Sequence, residues 1–133
     1  MEFFKNVKIY VSETELQTLL TLENLSAYSS EMFPLKKAGA NQVEVGGIWG
    51  EFTLTRHPIA GGLRFALMEC PNALTWTVTT GFPPDPQAIV IHLTLNRKEK
   101  EQDFVEEIEE FMEDLAEGII KIFTAKEQHA TVT

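Results

Sequence analysis

The 133-residue sequence predicts an α+β fold. We expect an antiparallel meander of four to six strands, an N-terminal helix, and a long C-terminal amphipathic helix packed on one sheet face. Three observations carry this expectation. Between Ile48 and Leu95, four runs alternate apolar and polar residues, the period-two signature of strands with one buried face. Short Gly, Pro and Asn punctuation separates the runs, as between hairpin-connected neighbours. From Glu101 to Phe123 apolar residues recur at three- and four-residue steps, which makes the stripe of an amphipathic helix.

Composition fits one globular unit. Hydrophobic residues make up 44% and charged residues 23% of the chain, far from the composition of disordered proteins. No linker or internal repeat interrupts the pattern, so residues 1–125 are expected to form a single domain, with 126–133 a frayed C-terminal tail. The net charge of −9 excludes the clustered Lys and Arg that displace counterions from nucleic acid. Cys70 is the sole cysteine, so no internal disulfide forms. The N-terminus lacks the basic segment and cleavage site of a signal peptide. No apolar run approaches the ~20 residues that span a bilayer, so the expected location is the cytoplasm, away from membranes.

Taken in order, Phe3 to Val11 reads as a half-buried or edge strand, with Val7, Ile9 and Val11 on one side. Ser12-Glu13-Thr14-Glu15 is a capping box, with Val11 and Leu16 at staple positions, and starts a helix. Apolar spacing carries that helix past Leu25 and Tyr28. Asn24 and three serines weaken it, which makes Asn24 a candidate break, and Pro34 ends it near Phe33. Lys36 to Asn41 reads as a loop, and Val43 with Val45 as a short strand before Gly46-Gly47.

Centring each later hairpin on its turn pairs Leu54 with Phe65, Leu67 with Trp76, and Trp76 with Ile91. That register gathers Ile48, Phe52, Leu54, Leu63, Phe65, Leu67, Leu74, Trp76, Val78, Ile89, Ile91, Leu93 and Leu95 on one apolar face. Trp49, Glu51, Thr53, Thr55, Arg64, Ala66, Met68, Thr75, Thr77, Thr79, Val90, His92 and Thr94 fall on the other. A slip of two residues would preserve the faces and shift the rows. The C-terminal helix should cover the apolar face, turning Glu106, Glu107, Glu109, Glu110, Glu113, Asp114 and Glu117 to solvent.

The chemistry-bearing residues form no recognised constellation. His57, His92 and His129 share no ligand spacing with Cys70, so no metal is expected. The glutamates of the C-terminal helix lack the Glu-x-x-His of carboxylate-bridged sites. Phe82 to Pro86, with three prolines, reads as a rigid turn. No catalytic residue and no cofactor are assigned. Glu69 is the one carboxylate that parity places on the apolar face. It either reaches solvent and a backbone amine at the rim, or it sits in a sheet–helix pocket with Trp76, Phe65, Phe52 and Tyr28. On the Thr-rich face, Trp49, Met68, Ala66 and Val90, flanked by His92 and Arg64, suggest an association patch. The sequence thus favours a non-enzymatic protein-binding or chaperone-like adaptor that forms a homodimer. The alternative is a small-molecule binder or simple enzyme with a pocket beneath the C-terminal helix.

Overall fold

The computed structural model describes residues 1–71, 73–83, 85–96 and 102–132, with side chains up to residue 124. The elements run β1 (Glu2–Val7), α1 (Glu13–Leu19), α2 (Leu25–Tyr28), β2 (Met32–Gly39), β3 (Gln42–Gly47), β4 (Gly50–Ile59), β5 (Gly62–Met68), β6 (Thr75–Thr80), β7 (Ile89–Thr94) and α3 (Gln102–Val132). All strands join one seven-stranded antiparallel sheet in the order β1-β7-β6-β5-β4-β3-β2. Strands β2 to β7 form a meander, and β1 returns to pair with β7. The three helices lie on one side, and α3 covers the sheet up to Phe123. Side chains from 125 onward, where a frayed tail is expected, lie outside the described residues, while the backbone through Val132 continues the helix. Among the described residues, no helix is long and apolar enough to cross a membrane.

The helix start at Ser12 forms as its sequence requires. The Ser12 hydroxyl accepts from the Glu15 amide at 3.1 Å, and the Glu15 carboxylate accepts from the Ser12 amide at 3.1 Å. α1 then stops after two turns and α2 resumes at Leu25, so the helix breaks around Asn24, the candidate break in the sequence. The Asn24 side chain donates to the Leu19 carbonyl at 2.9 Å, and Thr21 Oγ1 accepts from the Asn24 amide. Such short polar side chains compete with the helix for backbone groups. Arg56, on β4, supplies the rest of the cap. Its Nε donates to the Leu20 carbonyl at 2.8 Å and its guanidinium also reaches the Gln17 carbonyl.

The strand count exceeds the expected four to six because Met32–Gly39, which sequence reading divides between a helix end and a loop, is a strand. Beyond Met32 its side chains are mostly exposed, so β2 has no buried alternation to give it away. Asp114 pulls the chain out of helix just before it, accepting from the amides of Ser30 at 2.8 Å and Glu31 at 3.1 Å. β1 ends at Val7 rather than continuing to Val11, and the Ile9 amide turns back to the Val7 carbonyl at 2.7 Å.

The expected faces hold, but every row of the meander is displaced by two residues. Leu54 pairs with Leu67, Phe65 with Trp76, and Trp76 with Leu93. Turn centres alone misplace the rows because Glu69 and Ala73, both at positive φ, lengthen the β5–β6 connection, and Gly61 and Gly81 tighten their neighbours. Each shift is even, so parity survives. Leu54, Leu63, Phe65, Leu67, Leu74, Trp76, Val78, Ile89, Ile91, Leu93 and Leu95 are all buried on the helix side with Ile108, Phe111, Leu115 and Ile119 of α3. Two members of the expected apolar face depart: Phe52 is half-buried, and Ile48 is exposed in the turn between β3 and β4.

Candidate functional site: the open sheet face

The sheet face away from the helices is built from short side chains. Antiparallel pairing sets Phe4, His92, Thr77, Arg64 and His57 in one row across five strands. The next row holds Glu2, Thr94, Thr75, Ala66, Thr55 and Gln42. Thr55, Ala66 and Val90 are buried within the face, so it projects mainly its rim. At one rim the His92 ring stacks on Phe4, with centroids 4.3 Å apart and planes 2° from parallel. His92 Nε2 also meets Glu2 Oε1 at 2.9 Å. Towards the opposite edge Met68, Phe33 and Leu35 are about half exposed. The Phe33 ring lies over Gly46, where a Cβ would stand 2.8 Å from it. Exposed aromatic and aliphatic groups around a centre of buried Thr, Ala and Val are the composition of an association surface.

Of the interface candidates, Met68, Ala66, Val90, His92 and Arg64 share this face. Trp49 does not, and its assignment is corrected. It occupies the turn between β3 and β4 and turns under α3, with its ring 5.2 Å from Phe111 and 6.0 Å from Phe104. Gly50, at φ +117°, ends the strand geometry there, and alternation assigns faces only within a strand. The Trp49 indole nitrogen is buried without a hydrogen-bond partner among the described residues.

The pocket residues divide in the same manner. Tyr28, Phe65 and Trp76 are packed core. Phe65 stacks on Trp76 at 5.5 Å, Trp76 meets the edge of Phe111 at 5.1 Å, and Tyr28 tilts against Phe65 at 6.4 Å. With Trp49 and Phe104 these rings form a continuous aromatic seam between sheet and helices, which leaves the proposed lining filled by itself. The Tyr28 hydroxyl donates to the Thr21 carbonyl at 2.7 Å. Burial holds its pKa far above that of a free phenol, against the opposing charge of Arg56.

Of its two expected placements Glu69 takes the rim, and it leaves the pocket candidates. β5 ends at Met68, and a left-handed φ of +66° turns Glu69 outward. Its carboxylate accepts from the Thr53 amide at 3.1 Å and the Thr53 hydroxyl at 3.4 Å, closing the β4–β5 ladder just beyond its last pair, Thr53 with Met68. With Leu35, Glu44, Glu51, Phe52 and Thr53 it lines a shallow hollow of about 170 Å³. Half-buried Phe52 also lines a second hollow of about 220 Å³, beneath the start of α3, with Trp49, Cys70, Pro71, Leu74 and Phe104. That hollow is the nearest counterpart of the expected pocket, and it contains neither Glu69 nor Trp76.

No catalytic pair is assembled from the strand histidines. His57 and His92 lie three strands apart on their row, roughly 14 Å at the usual strand spacing. Cys70 lies under α3, off the face that carries His92. No group of metal-ligating side chains occurs among the described residues. Sequence reading missed Arg56 and Asp114, whose tertiary partners lie too far along the chain for spacing to reveal.

A covered apolar face opposite a bare Thr-rich one defines a two-layer α+β protein with one free layer. Two solved structures share the outline. XoxI from Bacillus cereus aligns over 95% of this chain and 97% of its own, with a TM-score of 0.64 and 9% identity. An uncharacterised protein from Bacillus thuringiensis aligns over 90% of this chain and 99% of its own, with a TM-score of 0.57 and 10% identity. At these identities the likeness is one of fold. No family model and no curated protein matches the sequence.

Proposed function

We propose that the chain is a non-catalytic binding protein that holds a protein partner, in the first instance a second copy of itself, across the open sheet face. The supporting observation is the placement of Phe4, Phe33, Leu35 and Met68 around a carpet of Thr, Ala and Val. Charge geometry favours the same arrangement. The carboxylates of α3 lie on the far layer, so two sheets stacked ~10 Å apart keep both acidic helices on the outside of the dimer. Arg64 and Glu2 supply charges of both signs within the contact surface.

Analytical ultracentrifugation tests this reading. The parent chain is expected to sediment as a concentration-dependent dimer, and Phe4→Glu with Met68→Glu as a monomer of unchanged far-UV circular dichroism. A parent that stays monomeric at high concentration, or a variant that dimerises as well as the parent, sinks the homodimer. Trp49→Glu is not a suitable probe, because Trp49 belongs to the aromatic seam.

A further inference from the structure

The sheet edge at β2 carries a second feature. β2 pairs with β3 through two irregularities, one between Pro34 and Lys36 and one between Lys37 and Gly39. Bulges bend a strand and re-aim its side chains. Facing the bent hairpin, the segment that joins α1 to α2 contributes Leu22 and Glu23. A cleft of about 360 Å³ opens between them, within the range of small-molecule sites. Leu22 and Val43 are buried at its base, Pro34 and Leu35 add apolar surface, and Lys36 and Lys37 stand in its wall.

The two lysines are the informative part. Lys5 pairs with Glu113 and Lys8 with Asp85. Lys36 and Lys37 form no ion pair among the described residues, although Glu44 lies opposite Lys36 in the strand register and Glu23 lines the same cleft. In a chain of net charge −9, two adjacent unpaired cations beside an apolar hollow focus local positive potential. An ammonium is a compact point charge on a flexible stem, suited to one anionic head above an apolar body. A ligand with several negative charges would meet Glu23 and the field of the whole chain.

We propose that this cleft binds a small apolar molecule bearing a single carboxylate, with the head at Lys36 and Lys37 and the body against Leu22, Val43 and Pro34. The cleft shares Leu35 and Gln42 with the margin of the open face. Lys36 and Lys37 take no part in the proposed interface and Phe4 and Met68 take none in the cleft, so either can fail without the other.

The experiment is a titration of the full chain with octanoate, followed by amide chemical shifts, with 1-octanol as the uncharged probe. Saturable octanoate shifts are expected at Leu22, Lys37, Gln42 and Val43, with 1-octanol about tenfold weaker. Lys36→Gln with Lys37→Gln should weaken octanoate about tenfold, the scale of two exposed charge contacts, and leave 1-octanol unchanged. Equal affinity for the two probes overturns the proposal. So do an unaltered octanoate affinity in the double variant, shifts centred on Trp49 and Phe104, or no saturable shift. The lysines are exposed, so the variant should fold, and matching dispersion of its amide spectrum checks that it does.

Discussion

At Gly118 a single added methyl group meets backbone. It lies within α3, where a Cβ would stand 2.4 Å from the Tyr28 carbonyl oxygen and 2.5 Å from two neighbouring backbone atoms. Alanine ordinarily stabilises a helix interior over glycine by about 1 kcal/mol. Here we expect Gly118→Ala to destabilise by roughly 1–3 kcal/mol, because α2 and α3 must separate. A urea midpoint at or above the parent's would show the close approach to be wrong. Glu31 offers a test with the opposite sign. Partial burial, then the carboxylates of Asp114 and Glu110, raise its pKa above the ordinary glutamate value. The folded chain therefore holds this proton more tightly than the unfolded chain does. Between the ordinary and the raised value, stability contributed by Glu31 falls as pH rises. Glu31→Gln should stabilise the protein at neutral pH, with the advantage shrinking as pH falls through that window. Parallel stability curves for parent and variant would refute it. The candidate-site residues were only half legible at this scale. Strand parity finds Met68, Ala66, Val90, His92 and Arg64, whereas Trp49 and Glu69 sit where glycine or positive φ breaks the alternation.

Among the elements, α1 shows how a helix of two turns is held. The capping box fixes its start, and Glu13 also accepts from the Gly61 amide at 2.6 Å. Gln17 donates to the Gly62 carbonyl at 3.0 Å, and Arg56 closes the C-terminal end. These contacts fasten the helix to the β4–β5 hairpin end to end, where the chain alone is too short to hold a helix. Arg56→Met leaves two carbonyls without that donor and should cost about 1–3 kcal/mol. Amide exchange should quicken in α1 before it does in β6. Uniform acceleration across the protein would contradict a local role. α3 and β4 to β7 were readable because each buries one face and shows the period of its backbone. β2 was not, since an edge strand that buries little carries no period to read. Its Pro34, Lys36, Lys37 and two bulges are the devices that keep a sheet edge from recruiting strangers. They are also the residues that hollow the cleft beside it.

Over the whole molecule, one layer is saturated with contacts and the other is not. The proposed interface lies on the bare layer, and the proposed cleft opens at the rim of the saturated one, with the core residues Leu22 and Val43 at its base. The separation makes their tests independent, because neither Phe4 and Met68 nor Lys36 and Lys37 contribute to the aromatic seam. The fold class and the two faces follow from local patterning. The closing strand does not, since nothing local says that β1 should lie beside β7 rather than beside β2. That placement also has a temporal consequence. Glu2 and His92, which meet at the finished rim, are 90 residues apart in sequence. At about 5–20 residues per second of synthesis, β1 leaves the ribosome roughly 5–20 s before its partner strand exists. Throughout that interval Phe3 and Phe4 travel on an unpaired segment. Of the seven strands, β1 waits longest for its partner.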